Sequence, residues 1–169
     1  MILLGSTGSI GVNALRVAEQ FGLSVDTLVA GRNIDLLNAQ ISKHSPKRVV
    51  VMHAEDISRV NHPDVRAGEA AILDAIEESE SRHVVNALVG FAGFRPTLKA
   101  LECGKKMALA NKESLVVGGT FVDTSSIVPI DSEHFGLWYL NQGNRPVERM
   151  VVTASGGAFR DWPLEKLAH

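Results

Sequence analysis

The glycine-rich segment at residues 5–11 reads GSTGSIG and has the residue types needed to hold a phosphate chain. It follows an apolar run at residues 1–4 and precedes helically spaced apolar residues, the strand–turn–helix setting of dinucleotide-binding motifs. Gly5 would permit the tight turn, Gly8 the close approach of phosphates, and Gly11 close packing of the helix. The first-turn amides would face the anion. The commoner spacing is Gly-x-Gly-x-x-Gly, so an ordinary glycine-rich turn is the alternative.

The end of the second predicted strand indicates which dinucleotide would bind. In NAD-binding proteins, an acidic residue about 20 residues after the glycine motif holds the ribose hydroxyls. Here that position reads Gly31-Arg32-Asn33, and it contains no acid. The planar cation of Arg32 suits a 2′-phosphate, and Asn33 adds a donor. The sequence therefore predicts NADPH rather than NADH, with a solvated surface arginine as the alternative.

Two carboxylates, Asp131 and Glu133, stand two positions apart in the string PIDSEH. On an extended strand they would point to the same side and offer oxygen ligands to a hard cation such as Mg²⁺ or Mn²⁺. A further ligand would have to complete that site. Alternatively, Asp131 or Ser132 caps the following helix, with Glu133 as a first-turn acid. His134 lies on a mostly apolar helix and is interpreted as a packing residue.

Lys112 and Ser155 also follow predicted strands. The carboxyl ends of strands line the ligand crevice of a doubly wound sheet, and a lysine there could neutralise a developing alkoxide or a substrate anion. A charged first turn of a helix is the more ordinary interpretation of Lys112. Ser155, followed by two glycines, could help exposed backbone amides to hold an anionic group, or could belong to an ordinary turn.

The elements that would position these residues alternate between strands and helices. Strands are expected at 1–4, 25–30, 49–52, 84–89, 106–110, 127–130 and 147–154. Helices are expected after residue 9 and at 34–41, 70–76, 96–103, 135–140 and from 163. The first helix would be capped by Ser9 and closed by Gly22, with an apolar face formed by Ile10, Ala14, Val17, Ala18 and Phe21. The alternation favours a doubly wound parallel α/β sheet, and the pattern changes beyond about Val128.

Composition excludes several classes of protein. The 169 residues are 45% hydrophobic and 21% charged, as in an ordinary globular chain. The formal net charge of −2 gives no electrostatic argument for binding nucleic acid or a membrane surface. Cys103 is the only cysteine, which excludes an intramolecular disulfide and a Cys-rich zinc site and favours the cytoplasm. We expect neither a leader nor a membrane span, since the apolar runs are short.

Five strings occur in order along the chain. They are GSTGSIG at 5–11, AGRN at 30–33, LANKESLV at 109–116, IDSEH at 130–134 and ASGG at 154–157. Together they resemble the 1-deoxy-D-xylulose 5-phosphate reductoisomerase family. The glycine-rich string alone is unspecific, whereas ANKES and DSEH at this order and spacing are specific.

The resemblance implies roles for individual residues. It implies cofactor contacts at Thr7, Gly8, Ser9, Ile10, Gly31, Arg32, Asn33, Asn111 and Glu113. It implies metal ligands at Asp131 and Glu133, and substrate contacts at Lys112, Ser132, Glu133 and Ser155. Catalytic roles would fall to Lys112, Asp131 and Glu133. The family often has lysine where Arg32 stands. Since ideal pleating would turn Ser132 away from both carboxylates, we expect the backbone to bend at a strand-to-helix junction there.

The resemblance also implies an activity. NADPH and a divalent metal ion (Mn²⁺, Mg²⁺ or Co²⁺) would be cofactors, a ketose phosphate the substrate, and a homodimer the assembly. The substrate skeleton would rearrange to an aldehyde, which hydride transfer would reduce to 2-C-methyl-D-erythritol 4-phosphate of the non-mevalonate isoprenoid pathway. Residues 1–127 would form an NADPH-binding Rossmann domain, and 128–169 the beginning of an α+β catalytic domain. Because the family is longer, these residues alone should bind NADPH without catalysing.

Two other functions remain open on the sequence alone. A semialdehyde or homoserine-type dehydrogenase would share the early sheet, but it would not require paired acids. A semialdehyde dehydrogenase would also need a catalytic cysteine, and Cys103 falls inside a helix-like run. A non-catalytic NADPH-binding module is the second alternative.

Overall fold

The computed structural model describes residues 1–143, 146–152 and 161–166. It divides into two compact units, Met1–Ile130 and Asp131–His169. The strands of the first unit are β1 (Ile2–Leu4), β2 (Thr27–Ala30), β3 (Arg48–Val51), β4 (Val65–Ala67), β5 (His83–Asn86), β6 (Lys106–Leu109) and β7 (Ile127–Pro129). Its α-helices are α1 (Ser9–Gln20), α2 (Ile34–His44), α3 (Gly68–Glu78), α4 (Phe94–Glu102) and α5 (Lys112–Gly118). Short 3₁₀ segments lie at Ala54–Arg59, Gly90–Gly93 and Gly119–Phe121.

All seven described strands join one parallel sheet in the order β4-β3-β2-β1-β5-β6-β7. The chain runs outward from β1 to β4, crosses back, and continues from β5 on the other side of β1. The strand order therefore reverses between β1 and β5. In open α/β sheets, ligands bind in the crevice outside the carboxyl ends of the strands at such a point. This topology confirms the predicted doubly wound α/β fold.

Both faces of the sheet are buried, which is why its strands are apolar without polar alternation. Ile2 and Leu4 pack into the cluster that also contains Ile72 of α3, whereas Leu3 packs into the opposite cluster with Leu37 of α2. Successive residues of β1 thus face opposite sides, as the period of two requires. Each apolar cluster holds its helices against one face, and the carboxyl edge of the sheet is left to the connecting turns.

Helix α1 differs from its predicted form. Its N-cap is Gly8 rather than Ser9, because the Gly8 carbonyl already accepts from Val12 N at 2.9 Å. Its buried residues are Gly11, Leu15 and Ala18. The prediction of the apolar face was wrong for three residues, which are exposed: Ile10, Val17 and Phe21. The helix turns its 11–15–18 face inward since Gly11 allows the closest approach. Gly22, at φ +62°, ends the helix as predicted.

In the second unit, α6 (Ser132–Leu140) and a 3₁₀ turn at Leu164–Lys166 are the helical elements of the described residues. The strand predicted at 147–154 was wrong for its described part, since residues 147–152 form no strand. An extended segment needs partners for its backbone groups, and no described residue pairs with them. Among the helices of the described chain, none is both long enough and apolar enough to cross a bilayer.

Candidate functional site

The glycine-rich turn is fastened to the neighbouring strand. The amides of Gly5 and Ser6 both donate to Val29 O in β2, at 2.9 and 2.8 Å. Gly5 has φ +84°, a left-handed conformation that glycine adopts without strain. A Cβ on Gly5 would also lie 2.7 Å from Ala87 O, just beyond β5. The turn therefore lies at the point where the strand order reverses.

Gly11 lets the first turn of α1 rest on the glycine-rich turn. A Cβ there would lie 2.2 Å from Gly5 O and 2.6 Å from Ser6 O, and backbone oxygens cannot move aside cheaply. At Gly8 the nearest atom to an added Cβ is Gly5 O, at 3.5 Å. The protein itself would tolerate a side chain at that position. Gly8 is also exposed, so its Cα is accessible to a group outside the chain.

The N-terminus of α1 fits an anion. No side chain caps it, and its first turn contains no acidic residue. By contrast, Asn33 caps α2 and Asn111 caps α5 through side-chain oxygens. The first-turn amides of a helix point along its axis and carry partial positive charge, so an uncapped and exposed N-terminus suits a phosphate group. The turn has the chemistry that a dinucleotide pyrophosphate requires.

The end of β2 supplies a cation beside this turn. Gly31, Arg32 and Asn33 are all exposed and follow β2 directly. The Arg32 carbonyl accepts from Ile34 N at 3.0 Å, but within the described ranges its guanidinium has no hydrogen-bond or ion-pair partner. Asn33 Oδ1 accepts from Leu36 N at 3.2 Å and so caps α2. The Nδ2 group of Asn33 is then the part of this side chain that could donate to a ligand. An unpaired guanidinium and an amide donor fit a phosphate on the ribose.

Asn111, Lys112 and Glu113 lie where β6 leads into α5, at the same carboxyl edge of the sheet. Lys112 and Glu113 occupy the first turn of α5, which is the ordinary placement foreseen for them. The Asn111 side chain is 1% exposed. Its Nδ2 donates to Leu88 O and Gly90 O, and its Oδ1 accepts from Ser114. Because the polar atoms of the Asn111 side chain are used in these hydrogen bonds, the predicted cofactor contact of Asn111 would be made by its backbone.

The two carboxylates begin α6 in the second unit. Asp131 is the N-cap: its Oδ1 accepts from His134 N at 3.1 Å and lies 2.5 Å from His134 Nδ1. Ser132 Oγ donates to Glu133 Oε2 at 3.1 Å. Because β7 ends at Pro129, the strand alternation argued for this pair was wrong, while the predicted strand-to-helix junction is confirmed.

The donor chemistry of Asp131 and Glu133 suits a hard divalent cation, which prefers carboxylate oxygens. Within the described residues no group of three or more potential ligands that could hold a metal ion occurs. A complete site would need another ligand from elsewhere, as the sequence already indicated. Ser155, the remaining predicted substrate contact, lies outside the described residues.

Several polar residues that support the site from the buried side are not among the predicted site residues. Buried Gln40 of α2 donates from Nε2 to Ser6 O, at 2.8 Å, and so supports the glycine-rich turn. Its signal was a polar residue on the apolar face formed with Leu37 and Ile41. Asn86 and Thr97 are fully buried beside the 88–93 loop. They gave no signal, because single polar residues in mixed segments are not periodic.

The fold and the turn geometry define a Rossmann-type α/β protein of the dinucleotide-binding class. Residues 1–119 match the family model described as 1-deoxy-D-xylulose 5-phosphate reductoisomerase, and residues 127–169 match the model of that enzyme's C-terminal domain. The chain belongs to the 1-deoxy-D-xylulose 5-phosphate reductoisomerase family.

Curated relatives carry the same family name. The chain is 56% identical to 1-deoxy-D-xylulose 5-phosphate reductoisomerase from Nautilia profundicola, over 99% of this chain and 48% of that protein. It is 54% identical to the enzyme of the same name from Wolinella succinogenes, over 99% of this chain and 47% of the relative. The chain spans about half the length of the curated relatives it matches.

Solved structures agree with the fold. The reductoisomerase from Zymomonas mobilis in complex with NADPH has a TM-score of 0.83 and 32% identity, covering 99% of this chain and 48% of that one. A DOX-P reductoisomerase in complex with NADPH, fosmidomycin and magnesium has a TM-score of 0.71 and 29% identity, covering 79% of this chain and 36% of that one. Neither finding favours a semialdehyde or homoserine-type dehydrogenase. Exposed Cys103 also ends α4, near the amino ends of the strands and away from the crevice.

Proposed function

We propose that the protein carrying this chain converts 1-deoxy-D-xylulose 5-phosphate to 2-C-methyl-D-erythritol 4-phosphate, in the non-mevalonate isoprenoid pathway, with NADPH and a divalent metal ion. The observation that carries the proposal is the uncapped N-terminus of α1, at the point where the strand order reverses, in a member of this family. A phosphate-bearing cofactor is the ligand that such a turn accommodates.

The first unit would bind the cofactor in two places. The amides of residues Thr7, Gly8, Ser9 and Ile10 would donate to the pyrophosphate. Gly31, Arg32 and Asn33 would hold the 2′-phosphate, with Arg32 supplying the charge that selects NADPH over NADH. Asn111 and Glu113 would contribute further cofactor contacts beyond β6. The absence of an acid at residues 31–33 supports this choice, since a carboxylate there would repel the 2′-phosphate.

The second unit would begin the catalytic domain. Asp131 and Glu133 would ligate the metal ion, while Ser132, Glu133 and Ser155 would contact the substrate. Lys112 would bind substrate and cofactor and stabilise negative charge on a substrate oxygen. When bound, the metal ion supplies Lewis-acid polarisation and NADPH supplies hydride. Asp131 already has its Oδ1 positioned by His134 N, which would fix the carboxylate before a metal ion arrives.

Three further properties are part of the proposal. The family's homodimer would be the assembly, and the single exposed thiol of Cys103 is compatible with a reducing cytoplasm. Residues 1–169 by themselves would bind NADPH without turnover, because Asp131 and Glu133 alone do not complete a metal site. We therefore assign the reaction to the intact gene product rather than to this stretch of it.

The test is consumption of NADPH by the intact gene product in the presence of 1-deoxy-D-xylulose 5-phosphate. Activity should require added Mn²⁺ or Mg²⁺, disappear on chelation, and return when the metal is restored. NADPH binding without turnover under these conditions would instead identify a non-catalytic module. Turnover that is unaffected by complete metal removal would exclude the proposed mechanism.

A further inference from the structure

The loop at residues 88–93 crosses the carboxyl edge of the sheet between β5 and α4, and Asn86 at the end of β5 holds it from one side. The Asn86 side chain is fully buried. Its Oδ1 accepts from Leu88 N at 3.2 Å, and its Nδ2 donates to Gly93 O at 3.0 Å. A single amide group thus bridges the two ends of the loop.

Asn111 holds the first half of the same loop from the other side. Its Nδ2 donates to Leu88 O at 2.6 Å and to Gly90 O at 2.8 Å. A Cβ on Gly93 would lie 2.5 Å from Asn111 Cγ, so the loop and the amide pack without space between them. Together the two asparagines satisfy backbone groups that a loop at a sheet edge would otherwise expose to water or leave unpaired.

Two buried hydroxyls fix the orientations of these amides. Thr97 Oγ1 accepts from Asn86 Nδ2 at 2.9 Å and donates to Gly93 O at 2.8 Å. Ser114 Oγ lies 3.4 Å from Thr97 Oγ1 and donates to Asn111 Oδ1. Thr97 and Ser114 are both fully buried. Thr97 Oγ1 is paired with the amide nitrogen of Asn86, and Ser114 Oγ is paired with the amide oxygen of Asn111. Rotation of either side-chain amide would therefore leave a buried polar group without a hydrogen bond.

The loop borders the glycine-rich turn. Ala87 O, immediately before the loop, would be 2.7 Å from a Cβ on Gly5. Val89 and Phe91 of the loop are 87% and 65% exposed, although Phe91 stacks on Phe94 with ring centroids 5.5 Å apart. Exposed side chains contribute little packing, so the backbone of the loop needs support from elsewhere. The buried network provides that support without itself reaching the surface.

We propose that Thr97 and Ser114 are positioning residues: acting through Asn86 and Asn111, they hold the 88–93 loop in the one conformation that forms the β5 side of the cofactor crevice. The inference rests on the proposed NADPH site. Neither hydroxyl touches the cofactor, since both are buried beneath the loop. Their effect on binding is through the fraction of molecules whose loop is already in place, and the apparent dissociation constant rises as that fraction falls.

The test compares Thr97→Val and Thr97→Ser in the intact gene product, by hydrogen exchange without cofactor and by NADPH binding. Valine keeps the shape of threonine but removes the hydroxyl, so the buried Asn86 Nδ2 group loses one of its two acceptors and Gly93 O loses one of its donors. We expect amide exchange across 88–93 to be roughly tenfold faster and the Kd for NADPH to rise about tenfold. Serine retains the hydroxyl and should restore both values to near those of the wild type.

Thr27→Val is the matched control. Thr27 is also fully buried and donates its hydroxyl to Asp26 Oδ2 at 2.9 Å, but it lies in β2 away from the loop. It should lower the melting temperature while leaving loop exchange and NADPH binding unchanged. If Thr97→Val does not fold, Ser114→Ala provides the same comparison.

Two results would overturn the inference. Unchanged exchange across 88–93 in the hydroxyl-free variants would show that the network does not hold the loop. Equal weakening of NADPH binding by Thr97→Ser and Thr97→Val would show that the methyl group, not the hydroxyl, matters. A wild-type protein that does not bind NADPH would refute the proposed function instead, and the exchange measurement would still decide whether the network holds the loop.

Discussion

Gly11 packs directly on Gly5: a Cβ built on Gly11 would lie 2.2 Å from the Gly5 carbonyl oxygen. That contact sets the distance between the first turn of α1 and the end of β1. It brings the uncapped helix N-terminus to the turn, where its amides face the crevice edge of the sheet. The glycine at position 11 is therefore required by the protein's own backbone, independently of any ligand.

Gly11→Ala should damage both stability and cofactor binding. The new methyl group would meet backbone oxygens on the turn, so α1 must shift, and overpacking of this kind costs about 1–3 kcal/mol. Urea unfolding and an NADPH titration would measure the two effects. Gly136→Ala is the control, because a Cβ at Gly136 meets no atom within 4 Å and the position lies inside α6. It should leave NADPH affinity unchanged and the free energy of unfolding equal or slightly higher.

Arg32→Asp should remove much of the preference for NADPH over NADH. Loss of a charge-assisted contact to the 2′-phosphate costs about 1.5–3 kcal/mol, so NADPH should bind roughly 10- to 100-fold more weakly while NADH affinity changes little. Equilibrium titration with both cofactors measures the ratio. Equal affinities of the wild type for NADPH and NADH would refute the assignment.

Arg82→Asp makes the same charge change at the opposite edge of the sheet. Arg82 is exposed and precedes β5, so it stands at the amino ends of the strands. This variant should keep the wild-type ratio of the two affinities. A matching loss of NADPH binding would mean that overall charge, rather than a contact at Arg32, governs the preference.

Asp26 links several elements at the amino edge of the sheet. Its Oδ2 accepts from Thr27 Oγ1 at 2.9 Å, Ser79 Oγ at 2.5 Å and Arg48 Nη1 at 3.2 Å, and its side chain is 11% exposed. Burial raises the pKa of this carboxyl. Hydrogen bonds from Ser79 and Thr27, with the charges of Arg48 and Lys47, outweigh burial and hold the pKa below its ordinary value.

Asp26→Asn should therefore destabilise the protein by about 1–3 kcal/mol near pH 7. A depressed pKa stabilises the fold above the unfolded-state value of about 3.9, and that contribution is lost as pH falls through the lower folded-state value. The difference in unfolding free energy between wild type and variant should shrink on acidification below about pH 4. Asp74→Asn, at an exposed position of α3, should change stability little at any pH. A wild-type advantage independent of pH would contradict the linkage.

Asp131→Asn should reduce metal-dependent turnover on the order of 100-fold or more while leaving NADPH binding intact. Asparagine is an equally good N-cap, so α6 should keep its start and the change isolates the lost charge. Steady-state kinetics against Mn²⁺ concentration and an NADPH titration separate the two properties. Glu148→Gln, a carboxylate-to-amide change at an exposed position, serves as the control. Unchanged activity and metal affinity in Asp131→Asn would remove this residue from the ligand set.

Strands buried on both faces were predictable because such strands are short, continuous apolar runs, as at residues 49–51. The edge strand Val65–Ala67 was missed, since its half-buried residues include Arg66 and show no such run. For residues 147–152 the error was the opposite one, since a strand was predicted where the structure has none. Their apolar composition resembles a strand, but composition does not state whether a neighbouring strand exists to pair with them.

At the site, the sequence indicated the glycine turn and Arg32 because their roles follow from position along the chain. The engagement of the Asn111 side chain by Leu88 O and Gly90 O could not be predicted, because it depends on a contact between segments about twenty residues apart. The same holds for Thr97, because its hydroxyl reaches the Asn86 side chain only when α4 packs over β5. Sequence order predicts which residues reach the carboxyl edge, and three-dimensional packing decides which of their atoms remain free.

A crystal of the intact gene product grown with Mn²⁺ and NADPH offers the most direct measurement of whether the glycine turn and the paired carboxylates serve one reaction. The anomalous signal should place Mn²⁺ about 2 Å from carboxylate oxygens of Asp131 and Glu133. The cofactor pyrophosphate should lie on the amides of residues 7–10, with its nicotinamide reaching toward the metal. Mn²⁺ bound by other residues, or a pyrophosphate away from that turn, would contradict the proposed site.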